Sequence, residues 1–184
     1  MEKIGLFYGT ETGSTRVIAR KIYHQLGDAL VAKPLNVNRI TPAEFLRYDA
    51  YILGAPSYGE GAIPGHSAGC LERNWQEFLA QLGNANLYGK RIAMFGLGSQ
   101  ERYPDNFASS LMPLHQSFAG FGAEMVGEWP TAGYHFNHSA AVVDDHFVGL
   151  VLDQRAQGAQ SGERLTTWLD QVTPRLIKRL QQAA

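Results

Sequence analysis

The chain has 184 residues, with 16 Lys and Arg against 17 Asp and Glu, and one cysteine, Cys70. That length suits one domain whose apolar core needs no staples, and a lone cysteine excludes an intramolecular disulfide and a cysteine-based metal centre. The net charge of −1 removes electrostatic capture of nucleic acid or an anionic membrane as the expected mode of action.

In chain order, Met1-Glu2-Lys3-Ile4-Gly5 reads as the start of a strand rather than a signal peptide, because it has neither a basic n-region nor an apolar h-region. No apolar run has the length of a membrane span, so the chain is expected in the cytoplasm. Ile4 to Tyr8 is the first predicted strand, and Val17, Ile18, Ile22 and Leu26 recur at helical spacing. Ala32 to Val37 predicts a short second strand, and Thr41-Pro42-Ala43-Glu44 is a capping box with proline at the first helical position. Ala50 to Ala55 is a third strand, and Leu71, Trp75, Phe78 and Leu79 have helical spacing. Arg91 to Gly96 is a fourth strand, followed by a helix over Phe107 to Phe121 with a kink expected at Pro113. Glu124 to Gly127 begins a fifth strand, and Leu165, Trp168, Leu169 and Val172 mark a last helix.

The alternation, with continuous rather than alternating apolar strands, predicts an α/β fold with a parallel sheet covered on both faces. The stretch of about 128–160 is rich in Gly, His and Asp, with a strand-like piece over Phe147 to Leu152. It reads as an insertion that splits or follows the fifth strand of a single domain spanning 1–184.

Open parallel sheets bind ligands beyond the carboxyl ends of their strands, and three loops at such ends stand out. The first, Gly9-Thr10-Glu11-Thr12-Gly13-Ser14-Thr15, offers four hydroxyls and a helix start with no Lys or Arg, which suits a wrapped monophosphate. It lacks the lysine of a nucleoside-triphosphate loop and the glycine spacing of a dinucleotide fingerprint. The second loop is Pro56-Ser57-Tyr58-Gly59-Glu60-Gly61, and the third runs from Gly96-Leu97-Gly98-Ser99 through Tyr103 to Asn106. Each carries a tyrosine among glycines, and together they can bracket a planar ring. His135, His138, His146, Asp144 and Asp145 read as an exposed polar loop rather than a metal site, and His66 and Cys70 as surface or packing residues.

Thr10, Thr12, Gly13 and Thr15, the run Leu53-Gly54-Ala55-Pro56, and Gly96-Leu97-Gly98-Ser99-Gln100 with Tyr103 and Asn106 resemble the motifs of long-chain flavodoxins, most closely those associated with nitrogen fixation. The resemblance covers essentially the whole chain. It implies a three-layer fold with five parallel strands in the order 2-1-3-4-5, bound flavin mononucleotide (FMN), and single-electron shuttling between a flavodoxin/ferredoxin-type reductase and an acceptor enzyme. It implies a monomer, with no nucleic-acid or membrane partner and no catalytic residues of its own. The cofactor would be held by Thr10, Glu11, Thr12, Gly13, Ser14, Thr15, Pro56, Ser57, Tyr58, Gly59, Gly61, Gly96, Leu97, Gly98, Ser99, Tyr103, Asn106 and Asp153. In that picture Tyr103 stacks on the outer ring face and Tyr58 flanks the inner face. A backbone flip at Gly59 offers its carbonyl to the flavin N5–H of the semiquinone.

Three features depart from the family pattern. Ser99 stands where an aspartate is common, Arg155 stands where an acid is expected near the ribityl chain, and the chain is nearly neutral where relatives are acidic. One unit charge at ~10 Å in a medium of effective dielectric ~20 is worth about 1.7 kcal/mol, or roughly 70 mV for one electron. Ser99 and Arg155 are therefore expected to raise the semiquinone/hydroquinone potential, and the near-neutral surface to dock differently from an acidic one. The rival reading on the same fold is an FMN-dependent NAD(P)H:quinone oxidoreductase, although no second nucleotide motif is present. A phospho-receiver is excluded, because Gly54-Ala55 and Tyr8-Gly9 occupy the places its acids require.

Overall fold

The computed structural model describes residues 3–56 and 60–177. The first strand β1 (Gly5–Tyr8) leads into α1 (Ser14–Leu26), then β2 (Leu35–Asn36), α2 (Pro42–Phe45) and β3 (Ala50–Ala55). Next come α3 (Trp75–Leu82), β4 (Arg91–Leu97), α4 (Leu111–Gly120) and β5 (Glu124–Val126). The short strands β6 (Trp129–Pro130), β7 (Val142–Val143) and β8 (His146–Phe147) precede β9 (Leu150–Leu152) and α5 (Gly158–Ile177).

All the main-sheet pairings are parallel, in the order β2-β1-β3-β4-β5, as the alternating pattern predicts. The fifth position is filled twice. Strand β5 pairs the first half of β4 (Ile92↔Met125), and β9 pairs its second half (Gly96↔Val151). Between them the chain leaves the sheet to form a small antiparallel sheet in the order β6-β8-β7. The strand-like piece at Phe147 to Leu152 is thus two strands in two different sheets.

β3 is buried along its whole length, because helices cover both of its faces. α1 packs against α5 on one face, where Gln25 Nε2 donates to Thr166 Oγ1 at 2.6 Å. On the other face, Phe45 of α2, Phe78 of α3 and Phe118 of α4 meet in one aromatic cluster, which Tyr51 of β3 joins by stacking on Phe45 at 4.7 Å. Burying each such ring contributes about 1.5–3 kcal/mol, so these helices are fixed by packing on one another and on the sheet rather than by their own propensity. Among the described residues no helix is long and apolar enough to cross a membrane.

Four local readings change. The second strand is confined to Leu35–Asn36. Leu71 lies outside α3 and is 87% exposed, because Asn74 caps the helix and starts it at Trp75. The helix predicted from Phe107 begins at Leu111, with Ala108 at a positive φ of 52° interrupting the run before it. Pro113 then falls in the first turn, where its missing N–H has no intrahelical partner to lose, and a kink is not required.

Candidate functional site

The ends of β1, β3, β4 and β9 converge on one cleft of about 290 Å³, near the lower end for small-molecule sites. Its floor begins where β1 stops. Gly9 donates its N–H to Gly54 O at 2.9 Å, and a Cβ at Gly9 would overlap Asn74 Oδ1 and the Trp75 ring. The loop then turns back on itself, with Thr10 Oγ1 accepting the Gly13 N–H at 2.9 Å. Gly13 caps α1 with φ 95°, a conformation that favours glycine. Lacking a side chain, it leaves the first N–H groups of α1 without a side-chain cap, and these carry the positive end of the helix dipole. Thr10, Thr12, Ser14 and Thr15 line the cleft at this end. Thr15 is buried, and its Oγ1 has no hydrogen-bond partner.

The opposite wall comes from the loop after β4. Leu97, Gly98, Ser99, Arg102 and Tyr103 face the cleft, and Ser99 Oγ is a second buried hydroxyl without a partner. Tyr103 is 55% exposed, a large apolar ring left partly in water. The loop is held from behind. Gly98 donates to Leu152 O at 3.1 Å, Tyr103 to Ser99 O at 2.9 Å, and Asn106 to Tyr103 O at 3.3 Å. Gln100 N–H donates to Asp153 Oδ2 at 2.9 Å, and Gln100 Oε1 accepts the His135 N–H at 2.6 Å, which fastens the inserted segment to this loop. Phe107 N–H donates to His138 O at 3.2 Å, a second tie.

Of the residues singled out in the sequence, Thr10, Thr12, Ser14, Thr15, Pro56, Leu97, Gly98, Ser99 and Tyr103 are brought to one cleft. Ser57, Tyr58 and Gly59, with the inner-face ring and the backbone flip assigned to them, lie outside the described residues. Glu11 turns away, its Oε1 accepting the Leu71 N–H at 3.0 Å. Its carboxylate also stands near the buried Cys70, whose thiol is pushed up by burial and further by Glu11. Gly61 packs beside Ser109, and Gly96 sits within β4. Asp153 does not line the cleft. It is fully buried, and besides Gln100 it accepts the N–H groups of Arg155 at 3.0 Å and Ala156 at 2.9 Å, which makes it a brace between two loops.

Arg102, inside the third loop picked out in the sequence, and Arg155 line the cleft too; sequence reading missed Gln154 there and the support that α3 provides. Asn74 Nδ2 donates to Thr10 O at 3.3 Å, while Asn74 and Glu77 form a reciprocal capping box. The spacing Asn-x-x-Glu before an apolar run was the available signal.

The cleft has the chemistry of a site for a phosphorylated planar molecule. An uncapped helix N-terminus and clustered hydroxyls suit a phosphate, an exposed tyrosine suits a ring face, and two buried hydroxyls lack the partner that a bound group would supply. A family model for flavodoxin matches residues 6–168. A flavodoxin of Klebsiella pneumoniae is 48% identical over 94% of this chain and 97% of that relative. A flavodoxin of Synechocystis sp. is 38% identical over 95% and 98%. Among solved structures, the Fusobacterium nucleatum flavodoxin bound to flavin mononucleotide superposes with a TM-score of 0.83 at 28% identity, covering 96% of this chain and 99% of that one. The chain belongs to the flavodoxin family.

Proposed function

We infer that this chain is an electron carrier that works through one bound FMN in the cleft. FMN supplies reversible one-electron redox chemistry when bound, and the protein holds and tunes it. The observation that carries the reading is the pair of buried, unpartnered hydroxyls, Thr15 Oγ1 and Ser99 Oγ, at opposite ends of one cleft. Leaving both unpaired is costly, and a phosphate at one end and a heteroaromatic edge at the other would satisfy them.

In this reading Thr10, Thr12, Ser14 and Thr15 hold the phosphate together with the first N–H groups of α1. Tyr103 covers one ring face, and Leu97, Gly98 and Ser99 approach the ring edge with Pro56 opposite. The half-exposed Tyr103 leaves that end of the cleft open to a docking protein, which suits exchange with a reductase of the flavodoxin/ferredoxin type and with an acceptor enzyme. The carrier acts as a monomer in the cytoplasm.

The test is the visible spectrum of the purified chain, before and after FMN is added and during stepwise reduction. Flavin bands, stoichiometric uptake and two separable one-electron steps are expected, without steady-state NADPH oxidation by the protein alone. A protein that binds no FMN overturns the reading.

A further inference from the structure

The charge of the cleft is unusual for a site that must hold a reduced flavin. No carboxylate lines its described wall, and two arginines do. Arg102 follows β4 and Arg155 follows β9. Neither guanidinium has a hydrogen bond or ion pair with any described residue, and Arg155 is engaged only through its backbone N–H. The carboxylate nearest in sequence to Arg155, Asp153, is buried and taken up by three backbone N–H groups.

Position in the sheet separates these cations from the phosphate loop. That loop follows β1, and β3 lies between β1 and β4. Strands are about 4.8 Å apart, so Arg102 starts about 10 Å from the hydroxyl loop and Arg155, one strand further, starts beyond it. Both rise on the side of Tyr103, where the ring of the cofactor would lie.

We propose that Arg102 and Arg155 set the second reduction potential of this carrier, making it a milder reductant than a carrier whose flavin lies among carboxylates. The inference rests on the FMN reading above. The first electron enters with one proton and leaves the ring charge unchanged. The second enters alone at neutral pH and leaves one negative charge on the ring. A guanidinium stays protonated throughout and therefore favours the second step while hardly affecting the first.

The experiment is a spectroelectrochemical titration of the FMN-loaded protein beside Arg102→Gln, Arg155→Gln, the double variant, Arg155→Lys, and Arg20→Gln on the exposed face of α1. Each glutamine variant is expected to shift the second one-electron equilibrium about tenfold away from full reduction, which is 59 mV for one electron. The first couple should stay in place, the lysine variant should keep the parent value, and Arg20→Gln should change nothing. Raising the salt to about 1 M, where the Debye length falls to about 3 Å, should shrink the difference. A second potential that does not move, or two couples that move together, overturns the proposal while the FMN reading stands. Weaker FMN binding with both potentials unchanged would make the arginines phosphate ligands and overturn it equally. A chain that takes up no FMN overturns both.

Discussion

The indole Nε1 of Trp75 donates to the carbonyl of Gly54 at 2.8 Å, and that same oxygen accepts the Gly9 N–H at 2.9 Å. One buried atom therefore joins the first residue of α3, the end of β3 and the start of the hydroxyl loop. Trp75→Phe keeps a ring in the fully buried site but removes the donor and leaves a small void. It is expected to lower the stability of the cofactor-free protein by about 2 kcal/mol, measured by denaturant unfolding. FMN affinity should weaken as well, because α3, which supports the loop through Asn74 and Thr10 O, loses its tie to β3.

Thr15→Val separates a binding role from a structural one. The hydroxyl is buried without a partner, and such a group costs about 1–3 kcal/mol. Without cofactor, the valine variant should be as stable as the parent or more stable, by up to about 1 kcal/mol. With FMN at a hundred times its dissociation constant the parent gains about 2.7 kcal/mol. The variant should gain less, with affinity down about tenfold by fluorescence titration. A variant that is destabilised in both states would assign Thr15 to the core alone.

The sequence showed the fold clearly where burial makes strands continuous and helices periodic. β1, β3 and β4 carry unbroken apolar runs, and Trp168, Leu169 and Val172 mark the buried stripe of α5. It showed the hydroxyl loop because Thr and Gly at a strand end have few other uses. It did not show that Asp153 faces backbone amides rather than the cleft, since which way a carboxylate turns depends on the loops that arrive beside it. Nor did it show that the inserted segment braces the wall. That contact joins Gln100 to His135 across 35 positions, and no local pattern encodes it.

Glu77 links the site to pH. Burial works against its ionisation, but the N–H groups of Asn74 and His66 donate to it, and together with the nearby His66 ring they hold its carboxyl below the ordinary range. A carboxyl whose pKa is depressed in the folded state stabilises above its unfolded value of about 4.3, and that contribution is lost as pH falls through the lower folded value. The cofactor-free protein should therefore lose stability below about pH 4.5. Glu77→Gln should be less stable at neutral pH and show a shallower acid limb, by urea titration at several pH values.

The turn between β7 and β8 carries unrelieved backbone cost. Val143 pairs with His146, so the two residues between them form the turn, and Asp144 and Asp145 take φ values of 47° and 59°. Two positive φ angles are the requirement of a type I′ hairpin, which glycine meets best at the second position. Two adjacent carboxylates also repel. Among the described residues Asp145 ties down its neighbours only through its backbone carbonyl, which accepts the Thr131 N–H and hydroxyl at 3.0 Å. Asp145→Gly keeps those bonds and relieves both the strain and the repulsion, against a larger loss of chain entropy. The net gain is expected to be about 0.5–1 kcal/mol by denaturant unfolding. FMN affinity should not change, because the insertion meets the cleft wall through His135 and His138 rather than through this turn. A loss of stability would mean that the Asp145 side chain holds a contact the backbone does not supply.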